Sequence, residues 1–337
     1  MSRTFYAAAH VVATSDTDID WDATLRFRHH LWSLGLGIAD AMDTAQRGMG
    51  LSWDATQQLI KLSGAEARSV GGLLACGVGT DQLPAGTHDL TAIESAYSEQ
   101  LEVVQAAGAN VILMASRALA KVATKADYLA LYSRMLARSD KPVILHWLGD
   151  MFDPQLAGYW GSSDLDEAAD TVLELMHANA AKVDGIKVSL LDADREIALR
   201  AKLPEGVRLY TGDDFNYPSL IASGSHALLG IFDAIAVPAA AALKLLNAGD
   251  VDGFRALLDP TVPLARHIFE TPTFNYKTGI VFLAWLNGHQ EHFRMVGGLE
   301  TARSPEHLKK LYELALEAGV IADPEFAAAR LTTAFPS

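Results

Sequence analysis

Lys187 and His146 are the two residues whose chemistry conflicts most with their surroundings. Lys187 interrupts the apolar run VDGIKVSLLD, and His146 closes the run PVILH. An ammonium buried without a partner is strongly disfavoured, so a lysine inside a buried strand is driven toward its neutral amine. That amine attacks carbonyl carbon and, after loss of water, gives a Schiff base. Histidine changes charge near neutral pH and can trade protons with such an intermediate. Each residue has a plainer reading as well. A lysine at a strand's last position reaches solvent, and a histidine hydrogen-bonds inside the fold.

Other polar groups sit at the ends of apolar runs: Asp43-Thr44, Ser116-Arg117 and Thr211-Gly212-Asp213-Asp214, with His10 inside the first run. Donors and acceptors mixed in this way suit a polyhydroxylated substrate. Asp43, His10, His146 and Asp214 would alternatively supply oxygen and nitrogen ligands to a divalent cation, with Lys187 as an electrostatic partner. That alternative is a metal-dependent sugar isomerase or lyase. His289 and His292, three apart in GHQEHFRMVGG, read as a polar helix terminus capped by Gly297-Gly298 rather than as a metal pair. The lone cysteine, Cys76, excludes an intrachain disulfide and a cysteine-cluster zinc site.

The elements that position these groups alternate. Apolar, β-rich runs occur at Phe5–Val12, Gly37–Met42, Gly72–Gly77, Asn110–Met114, Pro142–Leu148, Asp184–Val188, Val207–Tyr210 and Ala227–Phe232. Between them lie amphipathic helical patterns such as Asp22–Leu34, Ser52–Ser69, Leu90–Ala107, Lys125–Ser139 and Leu165–Asn179. Eight strands alternating with helices predict an α/β fold, the (β/α)8 TIM barrel. An open doubly wound sheet shares the alternation, but no G-x-G-x-x-G follows the first run. Residues 1–237 are expected to form the barrel, and residues 238–337 a helical C-terminal extension packed on it. Catalytic groups of such barrels project from the C-terminal ends of the strands, the rule that selects the residues above. The long segment Asp150–Asp166 is then a candidate lid or an oligomer contact.

Composition narrows the partners. Against 41 Asp+Glu stand 27 Lys+Arg, a net charge of −14, which argues against nucleic acid. No apolar stretch approaches the roughly 18 residues of a membrane span. With no convincing leader peptide, a cytoplasmic enzyme acting on a small molecule is the expectation.

Several motifs then fall in a telling order: Asp18-Ile19-Asp20, Leu51-Ser52, PVILH to His146, Gly185-Ile186-Lys187, Thr211-Gly212-Asp213-Asp214, Ala248-Gly249-Asp250 and Tyr276-Lys277. In order and spacing the chain resembles, nearly end to end, the dihydrodipicolinate synthase / N-acetylneuraminate lyase family of class I (Schiff-base) aldolases, as a divergent branch. The resemblance implies Lys187 as the Schiff-base lysine, no cofactor beyond it, a carbonyl substrate and a homo-oligomer, dimer or tetramer. The departures are specific. His146 stands where the family has its catalytic tyrosine, and Asp43-Thr44-Ala45-Gln46-Arg47 where it has G-T-T-G-E. Leu119-Ala120 replaces a tyrosine pair, and Met151 an arginine. Asp43 would repel a substrate carboxylate, so dihydrodipicolinate synthesis itself is not expected. The expectation is a lyase of carbohydrate metabolism, acting by retro-aldol cleavage or dehydration on a keto-sugar or keto-acid. Lys187 and His146 would be catalytic, and Asp43, Thr44, Arg117, Asp213, Asp214 and His10 would bind substrate. A degenerate aldolase that only binds its ligand is the non-enzymatic alternative.

Overall fold

The computed structural model describes residues 2–335. Eight parallel strands close into a barrel in chain order: β1 (Phe5–Ala8), β2 (Gly37–Asp40), β3 (Leu74–Val78), β4 (Asn110–Leu113), β5 (Val143–Leu148), β6 (Val183–Ser189), β7 (Arg208–Thr211) and β8 (His226–Leu229). β8 pairs with β1 to complete it. Each strand starts within two residues of the start of an apolar run, because strands buried on both faces read as continuous hydrophobic stretches. The expected helices form as Trp21–Leu34, Trp53–Val70, Leu90–Ala106, Lys125–Arg138 and Leu165–Ala178. Their starts are set by side-chain caps. Asp20, Ser52 and Asp89 accept from the backbone N–H three residues on, and Thr124 with Asp127 forms a reciprocal capping box.

Two runs end earlier as strands than their composition implies. Residues 9–12 are buried and apolar apart from His10, yet the His10 N–H donates to the Asp233 carboxylate and leaves the strand ladder. The eighth run turns helical at Ile231–Ala234, just after Gly230. The boundary expected at residues 237/238 falls inside the helix Ala236–Asn247, which packs against Trp21–Leu34. Beyond it come helices Val251–Leu258, Val262–Ile268, Tyr276–Leu286, Pro305–Glu317 and Pro324–Ala334. His289 and His292 are not on a helix. The helix Tyr276–Leu286 stops at Asn287 and Gly288, and both histidines lie in the irregular connection that follows. No helix among the described residues is long and apolar enough to cross a membrane.

Alternate strand residues face the barrel interior. Tyr6, Ala8, Ala39, Ala75, Ile112, Ile144, Tyr210 and Leu228 pack together there. Two residues beyond Ile144 comes His146, and across the register from it stands Lys187, so both project into the upper layer. Small residues there leave the room that a lysine chain requires. A Cβ on Gly212 would meet Lys187 Cε at 2.7 Å.

Behind the strands, a buried ion pair fixes the first helix. Arg28 and Asp40, both fully buried, meet through Nη2–Oδ1 at 2.8 Å and Nε–Oδ2 at 3.2 Å. Ser63 Oγ and the Ala41 N–H also donate to Asp40, and Arg28 donates to the His10 carbonyl. Removing one partner leaves an uncompensated interior charge. Arg28→Met is expected to lower the unfolding free energy by about 3–5 kcal/mol in a urea titration. Adding Asp40→Leu should recover most of that loss.

Candidate active site

Lys187 lies on β6, 8% exposed, inside a hollow of about 10 Å³. That is room for roughly one water molecule. Ala8, Met42, Asp43, Thr44, Leu148 and Ser189 form its walls with Asp214 and Gly230, and Phe152, Phe269 and Tyr276 form its roof. Burial lowers the lysine's pKa from its ordinary 10.5, and the charges of Asp43 and Asp214 oppose that fall. Neither carboxylate forms a close ion pair with it among the described residues; they act through space. The result is an amine deprived of solvation without a tight counter-ion, the state that favours nucleophilic attack.

His146 is fully buried at the same level of β5. Burial first, and then the Lys187 charge, hold its pKa well below 6.5, so the ring is neutral at pH 7. Its Nε2 lies 3.4 Å from Ser189 Oγ, while Nδ1 has no partner. It lines a larger cleft of about 420 Å³, together with Asp43, Thr80, Met114, Arg117 and Leu148. Asp43 and Leu148 border both the cleft and the lysine hollow. Ser189, which borders the hollow and contacts His146, links the two.

The other sequence-derived residues divide into two groups. Thr44, buried, bonds Tyr276 O–H at 2.8 Å and lines the lysine hollow. Asp214 also lines it, with burial raising its pKa to about 7 against the Ile231 N–H it accepts and the charge of Lys187. Arg117, partly exposed in the cleft, is held through Nε by Asp153. His10 and Asp213 are not brought to the hollow. His10 Nδ1 meets Asp233 at 2.8 Å and Nε2 meets Gln290 at 3.2 Å, so both ring nitrogens are committed to the wall behind the strands. Asp213 folds back on its own loop and accepts from the Phe215 and Asn216 N–H groups and from Asn216 Nδ2. It shapes the turn that presents Asp214.

The four residues weighed as metal ligands do not converge. Among the described residues, the grouping whose ligand atoms lie within reach of one another is His267, Glu270 and His307, in the C-terminal helices.

Sequence reasoning missed the roof as a feature of the site. Phe152 comes from a loop, Phe269 from the turn that ends the helix Val262–Ile268, and Tyr276 from the start of the next helix, with Phe269 stacked on Tyr276 at 4.4 Å. Lys277 carries the same signal as Lys187, a charge set in an apolar run, YKTGIVFLAWL, but it lines neither the hollow nor the cleft.

The profile of a family described as "Protein of unknown function (DUF993)" matches residues 1–336. The chain belongs to that family. Part of it is also similar to two curated proteins called 4-hydroxy-tetrahydrodipicolinate synthase. The Laribacter hongkongensis protein is 31% identical over 110 residues, and the Azoarcus sp. protein 33% identical over 114. Each match covers 32% of this chain and 37% of the relative, so it spans well under half of those proteins. The fold is similar over nearly the whole chain to solved synthases. The Methylacidiphilum fumariolicum SolV enzyme gives a TM-score of 0.72 at 17% identity, covering 99% of each chain. The Acinetobacter baumannii enzyme complexed with pyruvate gives 0.74 at 17% identity, covering 95% of this chain and 100% of that one. The fold is that of the dihydrodipicolinate synthases.

Two outcomes follow from the enclosed lysine. Its pKa is lower in the folded chain than unfolded, so the unfolded chain binds more protons between the two values and stability rises with pH across that window. Lys187→Met removes the penalty. The variant should exceed the parent in stability by about 1–3 kcal/mol at pH 7, and the gap should close as pH approaches 10.5, read by denaturant melts across pH. Phe152→Ala opens the roof and should speed acetylation of Lys187 by acetic anhydride; an unchanged rate would mean that the amine is reached from another side.

Proposed function

We propose that this chain is a Schiff-base-forming lyase that cleaves or dehydrates a keto-sugar or keto-acid. The observation that carries the reading is the Lys187 amine, enclosed at the C-terminal end of β6 and level with a neutral His146 on β5. Lys187 Nζ adds to the substrate carbonyl, and loss of water gives a protonated imine. That imine withdraws electrons from the adjacent carbon. In the retro-aldol course, a base takes the proton of the β-hydroxyl and the carbon–carbon bond breaks toward the imine. In the dehydrating course, the α-carbon loses a proton and the β-hydroxyl leaves as water. The retro-aldol course leaves an enamine, whose α-carbon takes up a proton to restore the imine; in either course hydrolysis of the imine then returns the amine.

His146 is the proton acceptor of this scheme, since its ring is neutral and Nδ1 is unpartnered. Ser189 provides a hydroxyl between it and the lysine hollow. Asp43 borders both spaces and accepts from a substrate hydroxyl. Thr44 and Arg117 orient the substrate, and Asp214 completes the polar wall. His10, bonded behind the strands, and Asp213, bonded within its own turn, support the site rather than touch substrate. A carboxylate at Asp43 favours a hydroxylated carbon beside it over an acid group. The assembly belongs to the same reading: a homo-oligomer, dimer or tetramer, measurable by light scattering.

Borohydride reduction in the presence of keto-sugars and keto-acids, followed by peptide mass analysis, tests the scheme. The expected result is a substrate-sized adduct on Lys187; no adduct across the panel would sink it. His146→Ala should still trap an adduct but turn over about 10²–10⁴-fold more slowly. Activity lost in chelator and restored by a divalent cation would instead favour a metal-dependent isomerase or lyase.

A further inference from the structure

His267, Glu270 and His307 meet among the C-terminal helices, and none of them lines the lysine hollow or the cleft. His267 stands in the last turn of the helix Val262–Ile268, and Glu270 follows two residues beyond its end. His307 lies in the first turn of Pro305–Glu317, the helix packed against it. One nitrogen of each ring and one carboxylate oxygen lie within 4.8 Å of one another. The two imidazoles stack, with centroids 4.0 Å apart and planes 18° from parallel. Both side chains are mostly buried, 17% and 8% exposed, whereas Glu270 is half exposed.

The hydrogen bonds assign the proton of His267. Its Nε2 lies 2.9 Å from the His307 carbonyl, which only accepts, so that nitrogen carries the hydrogen. The neutral ring then has its lone pair on Nδ1, and Nδ1 lies 3.5 Å from Glu270 Oε2, a second acceptor. Such a pair calls for a cation between its members. His307 Nδ1 stands 2.9 Å from the other carboxylate oxygen, and its Nε2 is buried without a partner among the described residues. Neither nitrogen of that ring is committed to the backbone. An imidazole whose far N–H is tied to a backbone carbonyl is oriented as metal ligands are. Tetrahedral zinc, roughly 2.0–2.1 Å from its nitrogen and oxygen ligands, holds them about 3.4 Å apart. The contacts at 2.9 and 3.5 Å bracket that spacing. Two imidazoles disfavour magnesium and calcium, which take oxygen ligands. Arg303 lies alongside and donates to the Glu270 and Pro272 carbonyls at 2.6 and 3.1 Å, so the Glu270 carboxylate is needed to offset a second cation.

We propose that His267, Glu270 and His307 bind one zinc ion through both Nδ1 atoms and the carboxylate, with water in the fourth position on the exposed side of Glu270. The ion clips together segments 40 residues apart in the chain. Phe269, between two of the ligands in sequence, stacks on Tyr276 over the lysine hollow, so the clip holds the roof and not the reacting groups. The proposal stands whether or not Lys187 forms an imine.

The full chain, stripped with chelator and titrated with Zn2+ against a chromogenic chelator, tests it. The expected result is one zinc per chain and a higher thermal midpoint once zinc is added. His267→Ala and His307→Ala should each lose the stoichiometric binding and the rise in midpoint. Co2+ in place of zinc reads the ligands of the parent without any variant: it should show the visible absorption of a tetrahedral ion and hyperfine-shifted proton signals from two imidazoles. No stoichiometric zinc in the parent, zinc retained by both histidine variants, or cobalt signals from fewer than two histidines would overturn the proposal. Zinc lost in His146→Ala or Asp214→Asn, with the three ligands intact, would place the ion in the barrel and overturn it likewise.

Discussion

A closed parallel barrel has no dry place for a charge, and this one holds an amine in its upper layer. Much of the arrangement around Lys187 follows from that conflict. Interior positions near it are reduced to Ala8, Gly212 and Gly230, because a larger side chain at Gly212 would run into the lysine itself. Lower down, Tyr6 and Tyr210 fill the barrel, with ring centroids 5.9 Å apart, and seal that end from water. Above, Phe152, Phe269 and Tyr276 seal the other. Low local polarity strengthens every electrostatic interaction inside the enclosure. The distribution of carboxylates around it therefore governs which protonation states are reached.

The C-terminal helices are part of this enclosure. Tyr276 supplies the hydroxyl that fixes Thr44, and Phe269 stacks on it against Gly230, where a Cβ would come within 3.1 Å of both rings. On the opposite face of the barrel wall, His10, Asp233 and Gln290 join the end of β1 to the connection after the helix Tyr276–Leu286. The extension is tied to the barrel on both sides of β1, by a roof over the lysine and by a polar link behind it. The first tie meets the turn that carries Asp43 directly, through the Tyr276–Thr44 bond.

The barrel was legible in the sequence because strands buried on both faces cannot disguise themselves, and Lys187 was legible because a charge inside such a strand is anomalous. The same logic misplaced His10. An apolar neighbourhood does not say whether a polar side chain faces the barrel axis or the helices, and His10 faces Asp233, 223 residues away. Asp213 and Asp214 are adjacent in the chain yet differ in role, because one caps its own turn while the other enters the hollow. The roof was illegible for a different reason. Phe152, Phe269 and Tyr276 are ordinary aromatics in separate segments, and only the tertiary fold brings them over one lysine.

The histidine at position 146 acquires its meaning from that same low polarity. Burial favours the neutral form of any titrating group, and it moves phenols and imidazoles in opposite directions. Tyr276 is pushed well above its ordinary value and Tyr6 to about 12, whereas His146 is pushed well below 6.5. At neutral pH a tyrosine in this layer holds its proton, and a histidine holds an open lone pair. The two are therefore not equivalent acid–base groups in the same place. In the proposed cycle, a neutral imidazole is the proton acceptor for the lysine or a substrate hydroxyl. A phenol enters as a donor and needs a neighbour to deprotonate it first. In the proposed cycle, the side chain at 146 would therefore change which partner moves its proton first.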